Sequence, residues 1–174
     1  GRSQSLTKFN GAEKLIWPVL SLEPRYNLDK ENITITGGGN GPYYALQPRS
    51  EETPILYILG ILSHPIIESY VRSRASVFRG GYGSHGKQFI AEIPIPKYED
   101  KFSIIPKWTK EIIDVRKEIT FSKMDKQTTL ATRKYHVLML KLFNEINKLY
   151  GFSNDDLKTV FEYQSLERQI NRED

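Results

Sequence analysis

Cysteine is absent from this sequence, and so is any apolar run long enough to cross a bilayer. The missing thiols exclude disulfides, cysteine-ligated zinc and thiol nucleophiles, and they fit a reducing compartment. The longest apolar run, "ILYILGIL", is much shorter than the roughly 20 residues of a membrane span, and the first residues contain no apolar leader segment. We therefore expect a soluble, cytoplasmic protein with no membrane partner.

Recognisable catalytic motifs are missing as well. The three histidines, His64, His85 and His136, lie far apart, and none has a carboxylate or a second histidine at metal-ligand spacing. There is no G-x-S-x-G elbow and no dinucleotide fingerprint. We expect no catalytic residue, no metal site and no cofactor in this chain. Since it opens with Gly1 and not with methionine, we also expect it to be a piece of a longer protein.

The first part of the chain has the pattern of short strands. With 174 residues, of which 39% are hydrophobic, the sequence is long enough for one core. The β-like runs are "KLIWPVL", "NITIT" and "YYALQ", and nearby prolines favour edge strands or irregular crossings. The glycine run at residues 37–41 predicts a hairpin or a wide turn, although such N–H groups are also of the kind that cradle a phosphate.

Residues 53–72 follow a helical period. One helical face contains Ile55, Leu56, Leu59 and Leu62. Ser63 or His64 is expected to cap a second helix, with Pro65 in its first turn. The pattern predicts a broken helix that forms the spine of the core.

The last third of the chain is predicted to be helical. A helix after Pro106 is indicated by the spacing of Trp108, Ile112, Val115 and Ile119. A longer helix should end at Gly151, and Ser153 with Asp156 resembles a capping box that opens another. We predict an α+β fold in which a small, mixed, twisted sheet packs on the broken helix in residues 1–100. A C-terminal helical segment, residues 101–174, would pack on this core or on a parent enzyme.

Basic residues are unevenly distributed, although the net charge is only +4. The window from Ser69 to Ala91 has no acidic residue, and its cations are Arg72, Arg74, Arg79 and Lys87. The missing counter-charges favour a surface that faces phosphates. The lysines and arginines after residue 106 alternate with acids, so a solvated helix face explains them.

The stretch "VFRGGYGSHGKQFIAEIPIP", residues 77–96, joins a glycine-rich loop to a strand-like end. Glycines at positions 80, 81, 83 and 86 permit positive φ and close approach to a sugar-phosphate backbone. We expect Arg79 and Lys87 to supply charge, and His85 and Gln88 to hydrogen-bond base edges. Tyr82 would stack on a base or wedge beside one.

The end of this stretch alternates as a half-buried strand does. Phe89, Ala91, Ile93 and Ile95 would face the core, and the prolines at 94 and 96 place the segment at an edge or at a strand end. Phe78 and Phe89 are assigned to the core. Two alternatives stay open: that Tyr82 is a packing residue, and that Arg79 pairs with a carboxylate of the helical part.

The segment "LYILGILSHPIIESYVRSRASVFRGGYGSHGKQFIAEIPIPKYE" resembles the TaqI-like C-terminal specificity domain. This is the target recognition domain of type IIG restriction-modification enzymes and related adenine-specific DNA methyltransferases. "LIWPVLSLEPRYNLDKENITIT" is similar to the family's early strand pair, and this makes Arg25 a further candidate for DNA contact. "LFNEINKLYGFSNDDLKTVFEY" is similar to its closing helices, so that the likeness covers most of residues 15–163.

This resemblance implies a module that reads double-stranded DNA and does not catalyse. In the family, an N-terminal methyltransferase domain binds S-adenosylmethionine and has an Asn-Pro-Pro-aromatic motif, and this chain has neither feature. The expected partners are duplex DNA and a parent methyltransferase domain or subunit, which would hold the cofactor. Cleavage by the parent enzyme, in addition to methylation, stays open. The alternative is an assembly domain of a restriction-modification subunit that pairs with protein and does not touch DNA. A stand-alone enzyme is disfavoured by the missing motifs.

Overall fold

The computed structural model of the chain describes residues 9, 11, 13–33, 42–78, 80–122 and 124–160. The β-strands among them are β1 (Lys14–Pro18), β2 (Leu20–Ser21), β3 (Asn27–Asp29), β4 (Tyr43–Leu46), β5 (Val77–Phe78) and β6 (Tyr82–Ser84). The α-helices are α1 (Ile55–Leu62), α2 (Pro65–Arg74), α3 (Lys87–Ala91), α4 (Ile104–Phe121), α5 (Asp125–Tyr150) and α6 (154–160). The predicted α+β class is confirmed. The predicted turn at residues 37–41 lies outside the described residues.

The strands form two small antiparallel sheets. In the first, β1 lies between β3 and β4, and Leu15 pairs with Leu28 on one side and with Leu46 on the other. In the second, β6 lies between β2 and β5. Pro18 is the last residue of β1, a position where its missing N–H costs the ladder little.

A buried ion pair joins β1 to β3. Lys14 and Asp29 are partners in the register, and Lys14 Nζ lies 2.7 Å from Asp29 Oδ2. The same carboxylate accepts hydrogen bonds from the backbone N–H groups of Glu31 and Ile33. Because Lys14 and these donors stabilise the ionised form, the pKa of Asp29 is lowered.

The broken helix is confirmed. His64 is the N-cap of α2, where its Nδ1 accepts a hydrogen bond from the backbone N–H of Ile66 at 3.2 Å, and Pro65 is the first helical residue. Helix α1 is buried on nearly its whole circumference, as a helix in the centre of a core must be.

The C-terminal helices pack on α1 through a glycine. A Cβ atom on Gly60 would lie 2.6 Å from Thr109 Oγ1 and 3.1 Å from Ile105 Cγ2, both on α4. The glycine therefore lets the two helices approach closely. The predicted capping box is confirmed by the bonds that Ser153 and Asp156 exchange, and Gly151 ends α5 at φ 70°. No helix of the described residues is long and apolar enough to cross a bilayer.

The strand predicted at residues 89–95 is wrong. Residues 87–91 form α3, and the buried pair is Ile90 and Ile93, three residues apart, whereas Ala91 is exposed. Prolines 94 and 96 keep the following segment out of a ladder, and their carbonyl groups instead accept hydrogen bonds from two tyrosines. Tyr150 donates to Pro94 O at 2.9 Å, and Tyr57 donates to Pro96 O at 3.2 Å.

We predict that Gly60→Ala lowers the free energy of unfolding by about 1–3 kcal/mol, because the new methyl group meets Thr109 Oγ1. Urea unfolding measures this change. In a Thr109→Ala background, where that atom is missing, the same substitution should cost clearly less. An equal cost in both backgrounds would show that the contact is not responsible.

Burial of His64 should make stability depend on pH. The residue is fully buried, and this lowers its pKa from 6.5 to about 4. The unfolded chain therefore takes up a proton at a higher pH than the folded chain, so stability falls as the pH drops from about 6.5 towards 4. At pH 5 we expect this group to contribute a loss of about 2 kcal/mol relative to pH 7.

The matched variant is His64→Asn, which keeps an N-capping side chain and cannot titrate. It should be less stable at pH 7, because its contacts with Phe143 and Phe152 are reduced, and it should show a smaller loss between pH 7 and pH 5. Parallel curves for the two proteins would contradict the assignment.

Candidate nucleic-acid interface

Strands β5 and β6 form a hairpin with a glycine turn. Phe78 pairs with Tyr82, and the N–H of Gly81 donates to Phe78 O at 3.1 Å across the turn. Gly80 and Gly81 adopt φ values of 84° and 78°, where a Cβ atom would be strained. The expected use of positive φ is confirmed at these two glycines, whereas Gly86 has φ −59° and precedes α3. Arg79 lies outside the described residues.

The second sheet has one outward and one inward face. The register puts Leu20, Phe78 and Tyr82 on the same face. Phe78 pairs with Tyr82, and Leu20 pairs with Ser84, which is two residues after Tyr82 on β6 and therefore on the same side of the sheet. These three side chains are 46%, 48% and 43% exposed. Ser21 and Gly83 pair on the other face and are buried. The assignment of Phe78 to the core is therefore wrong, since the turn places it beside Tyr82 on the outward face.

Beneath the inward face lies a buried polar group, the Glu68 cluster, made of Ser21, Glu68, Arg72 and His85. His85 Nε2 lies 2.9 and 3.0 Å from the two carboxylate oxygens of Glu68, and its Nδ1 lies 3.2 Å from Ser21 Oγ. An ionised carboxylate only accepts, so Nε2 donates and the ring orientation is fixed. Arg72 Nε donates to Glu68 Oε1 at 2.8 Å.

Arg72 also ties the sheet to the following loop. Its guanidinium donates to the backbone carbonyl of Leu22, and it packs under the central strand, where a Cβ on Gly83 would lie 3.6 Å from its Cζ. The hairpin and the start of the loop at residues 23–27 are thus held by one side chain.

Two aromatic residues close the Glu68 cluster. Trp17 Nε1 donates to the backbone carbonyl of His85 at 2.7 Å. Tyr26 lies edge-on to the His85 ring, with centroids 6.4 Å apart. Burial and the negative charge of Glu68 raise the pKa of Tyr26 well above its usual value, so its hydroxyl stays protonated.

Ser21, His85 and Glu68 form the hydrogen-bond chain of a serine nucleophile, a base and an acid, but they are not placed for catalysis. Their exposed fractions are 5%, 1% and 4%, so a substrate cannot reach Ser21 Oγ. Among the described residues no three histidine or acidic side chains are grouped as metal ligands. The cluster is structural.

Three of the predicted DNA-contact residues have side-chain partners within the protein. His85 is buried and both ring nitrogens have partners, so it does not present a hydrogen-bonding edge to a base. Arg72 pairs with Glu68, and Arg74 Nη1 lies 2.7 Å from Glu92 Oε2. These two acids flank the acid-free window on either side. Glu68 pairs with Arg72 and Glu92 pairs with Arg74, so the surface formed by the window is less basic than its sequence indicates.

The other candidates within the described part of the chain are accessible. Tyr82 lies on the outward face, Lys87 and Gln88 are exposed at the start of α3, and Arg25 is exposed in the loop after Leu22. Sequence reasoning missed Leu20 and the outward position of Phe78. The signal for Phe78 was present, because a glycine turn between Phe78 and Tyr82 makes them cross-strand neighbours. Leu20 has no such local signal.

Comparison with known proteins finds a partial similarity. The chain is 26% identical over 175 aligned residues to the type II restriction enzyme and methyltransferase RM.Eco57I of Escherichia coli. The match covers 98% of this chain and 17% of that relative, so the chain is similar to a small region of that protein. No model of a known protein family matches the sequence.

We predict that Glu68→Ala lowers the free energy of unfolding by about 3–5 kcal/mol, because Arg72 and His85 lose their buried carboxylate. The control is Glu92→Ala, which breaks the exposed pair with Arg74 and should cost less than about 1 kcal/mol. Chemical unfolding of both variants gives the comparison. Similar losses would mean that the Glu68 cluster does not hold the second sheet.

Proposed function

We propose that this chain recognises a specific sequence in double-stranded DNA, as the target recognition domain of a restriction-modification enzyme with an N-terminal adenine methyltransferase. The observation that carries this proposal is the outward face of the second sheet. It presents Phe78 and Tyr82 around a glycine turn, while the Glu68 cluster holds its inward face. The similarity to a region of RM.Eco57I supports the same role.

The chemistry of the hairpin suits contact with a duplex. Apolar and aromatic side chains insert between base steps, and the glycines let the backbone approach the phosphates closely. Arg79, which precedes Gly80 in the sequence, and Lys87 on α3 supply positive charge, whereas Gln88 has an amide that can pair with adenine. Catalysis, S-adenosylmethionine binding and any cleavage belong to the rest of the proposed enzyme, which is also the proposed protein partner.

A second candidate function is assembly with a partner subunit. It is favoured by an apolar groove of about 550 Å³ at the junction of α4 and α5. Phe121 lines the groove and is 77% exposed, and Leu130 beside it is 58% exposed. An exposed apolar patch of this kind marks protein contact sites, but this one is far in sequence from the basic window and does not conflict with DNA binding.

The test is fluorescence anisotropy with duplexes recovered from a randomised pool, measured across a salt series. Tyr82→Ala and Phe78→Ala should each weaken binding at least tenfold, because each removes a ring from the outward face. Tyr43→Ala is the matched control, since Tyr43 is 50% exposed on the first sheet. Arg79→Ala should weaken binding and reduce the salt slope by about one. No binding to any duplex at low salt would refute DNA recognition.

A further inference from the structure

A cleft of about 630 Å³ lies between the loop at residues 23–27 and helices α4 and α5. We refer to it as the helix–loop cleft. Buried or half-buried apolar side chains line its interior: Leu59, Ile112, Ile113, Met139 and Leu142. Tyr26 lines it from the loop and Tyr135 from α5. Its volume falls in the range of sites that take a small organic ligand.

The charges of the cleft favour an anionic ligand. Arg25 from the loop and Arg116 from α4 both line it, both are exposed, and neither side chain forms an ion pair with any described residue. Of the two acids in the lining, Glu68 is already bound to Arg72 and His85, and Glu23 is exposed at the loop. Two arginines from different elements thus remain available to one ligand.

We propose that the helix–loop cleft binds a single nucleotide of a DNA strand, with its phosphate at Arg25 and Arg116 and its base on the apolar interior. Guanidinium groups match phosphate oxygens in a bidentate manner, and aromatic and apolar side chains hold a base by stacking. A paired duplex is too wide to enter a cavity of this size, so the nucleotide is one that has left the helix.

The position of the cleft connects it to the hairpin. Arg72 holds the carbonyl of Leu22, where the loop begins, and packs against Gly83 in the hairpin. The loop wall of the cleft and the outward face are therefore fixed to each other. The inference rests on the proposed function in one respect, namely that the nucleotide comes from DNA bound by this chain.

The chain has two methionines, which makes a direct test possible. Met139 lines the cleft, whereas Met124 lies outside its lining and is 59% exposed. With ¹³C-methyl methionine, titration with deoxynucleoside 5′-monophosphates should shift the Met139 signal and leave Met124 in place. A nucleoside without phosphate and inorganic phosphate alone should each bind more weakly than the nucleotide.

Arg116→Gln should weaken this binding at least fivefold, because the phosphate loses one guanidinium. Lys117→Gln is the matched control, since Lys117 is the next residue on α4, is exposed and does not line the cleft. An unmoved Met139 signal, equal shifts of both methionines, or equal effects of the two variants would each overturn the proposal.

The source is tested with two duplexes of the same sequence, one fully paired and one with a single unpaired nucleotide. The unpaired nucleotide should shift Met139, and the paired duplex should not. If mononucleotides shift Met139 but the bulged duplex leaves it unchanged, the ligand is a free nucleotide and the DNA source is overturned. Binding of the bulged duplex, with Met139 unmoved by that duplex and by mononucleotides alike, overturns the cleft alone. A Met139 shift by mononucleotides without binding of either duplex overturns DNA recognition alone.

Discussion

The carboxylate of Glu68 is removed from water between two cationic or hydrogen-bonding partners, and much of the fold is arranged around it. A buried carboxylate is costly unless donors surround it, and here His85 comes from beyond the hairpin while Arg72 comes from the next turn of the same helix. Since Arg72 also binds the loop after β2, one carboxylate fixes the hairpin, the loop and α2 together.

This arrangement separates two kinds of residue in and around the hairpin. His85 and Arg72 bind the Glu68 carboxylate beneath the second sheet. This contact explains why a histidine and an arginine are needed at these two positions. The outward residues Phe78 and Tyr82 have no comparable internal partner, and their exposure is what a contact surface requires. The proposed DNA recognition and the proposed nucleotide site both use surfaces that the Glu68 cluster holds in position.

Local signals predicted much of the fold. Apolar periodicity and capping residues were sufficient for α1, α2, α4 and α5, and the expected positive φ was found at Gly80 and Gly81. The prediction of a strand at residues 89–95 was wrong because residues 87–91 form a helix. The buried residues are Ile90 and Ile93, three positions apart, and the alternation of apolar residues that starts at Phe89 hid this helical spacing. The pairing of Glu68 with His85 could not be predicted, because the two residues are 17 positions apart in sequence and become neighbours only in the folded chain. For the same reason an acid-free window in sequence did not give an acid-free surface.

The most direct test of the account is photo-crosslinking from the hairpin. A photoreactive phenylalanine analogue at position 78 should crosslink to bound duplex DNA, and the same analogue at position 43 on the first sheet should not, although both native side chains are about half exposed. Crosslinks from position 43 and none from position 78 would contradict the claim that the outward face of the second sheet is the surface that meets DNA.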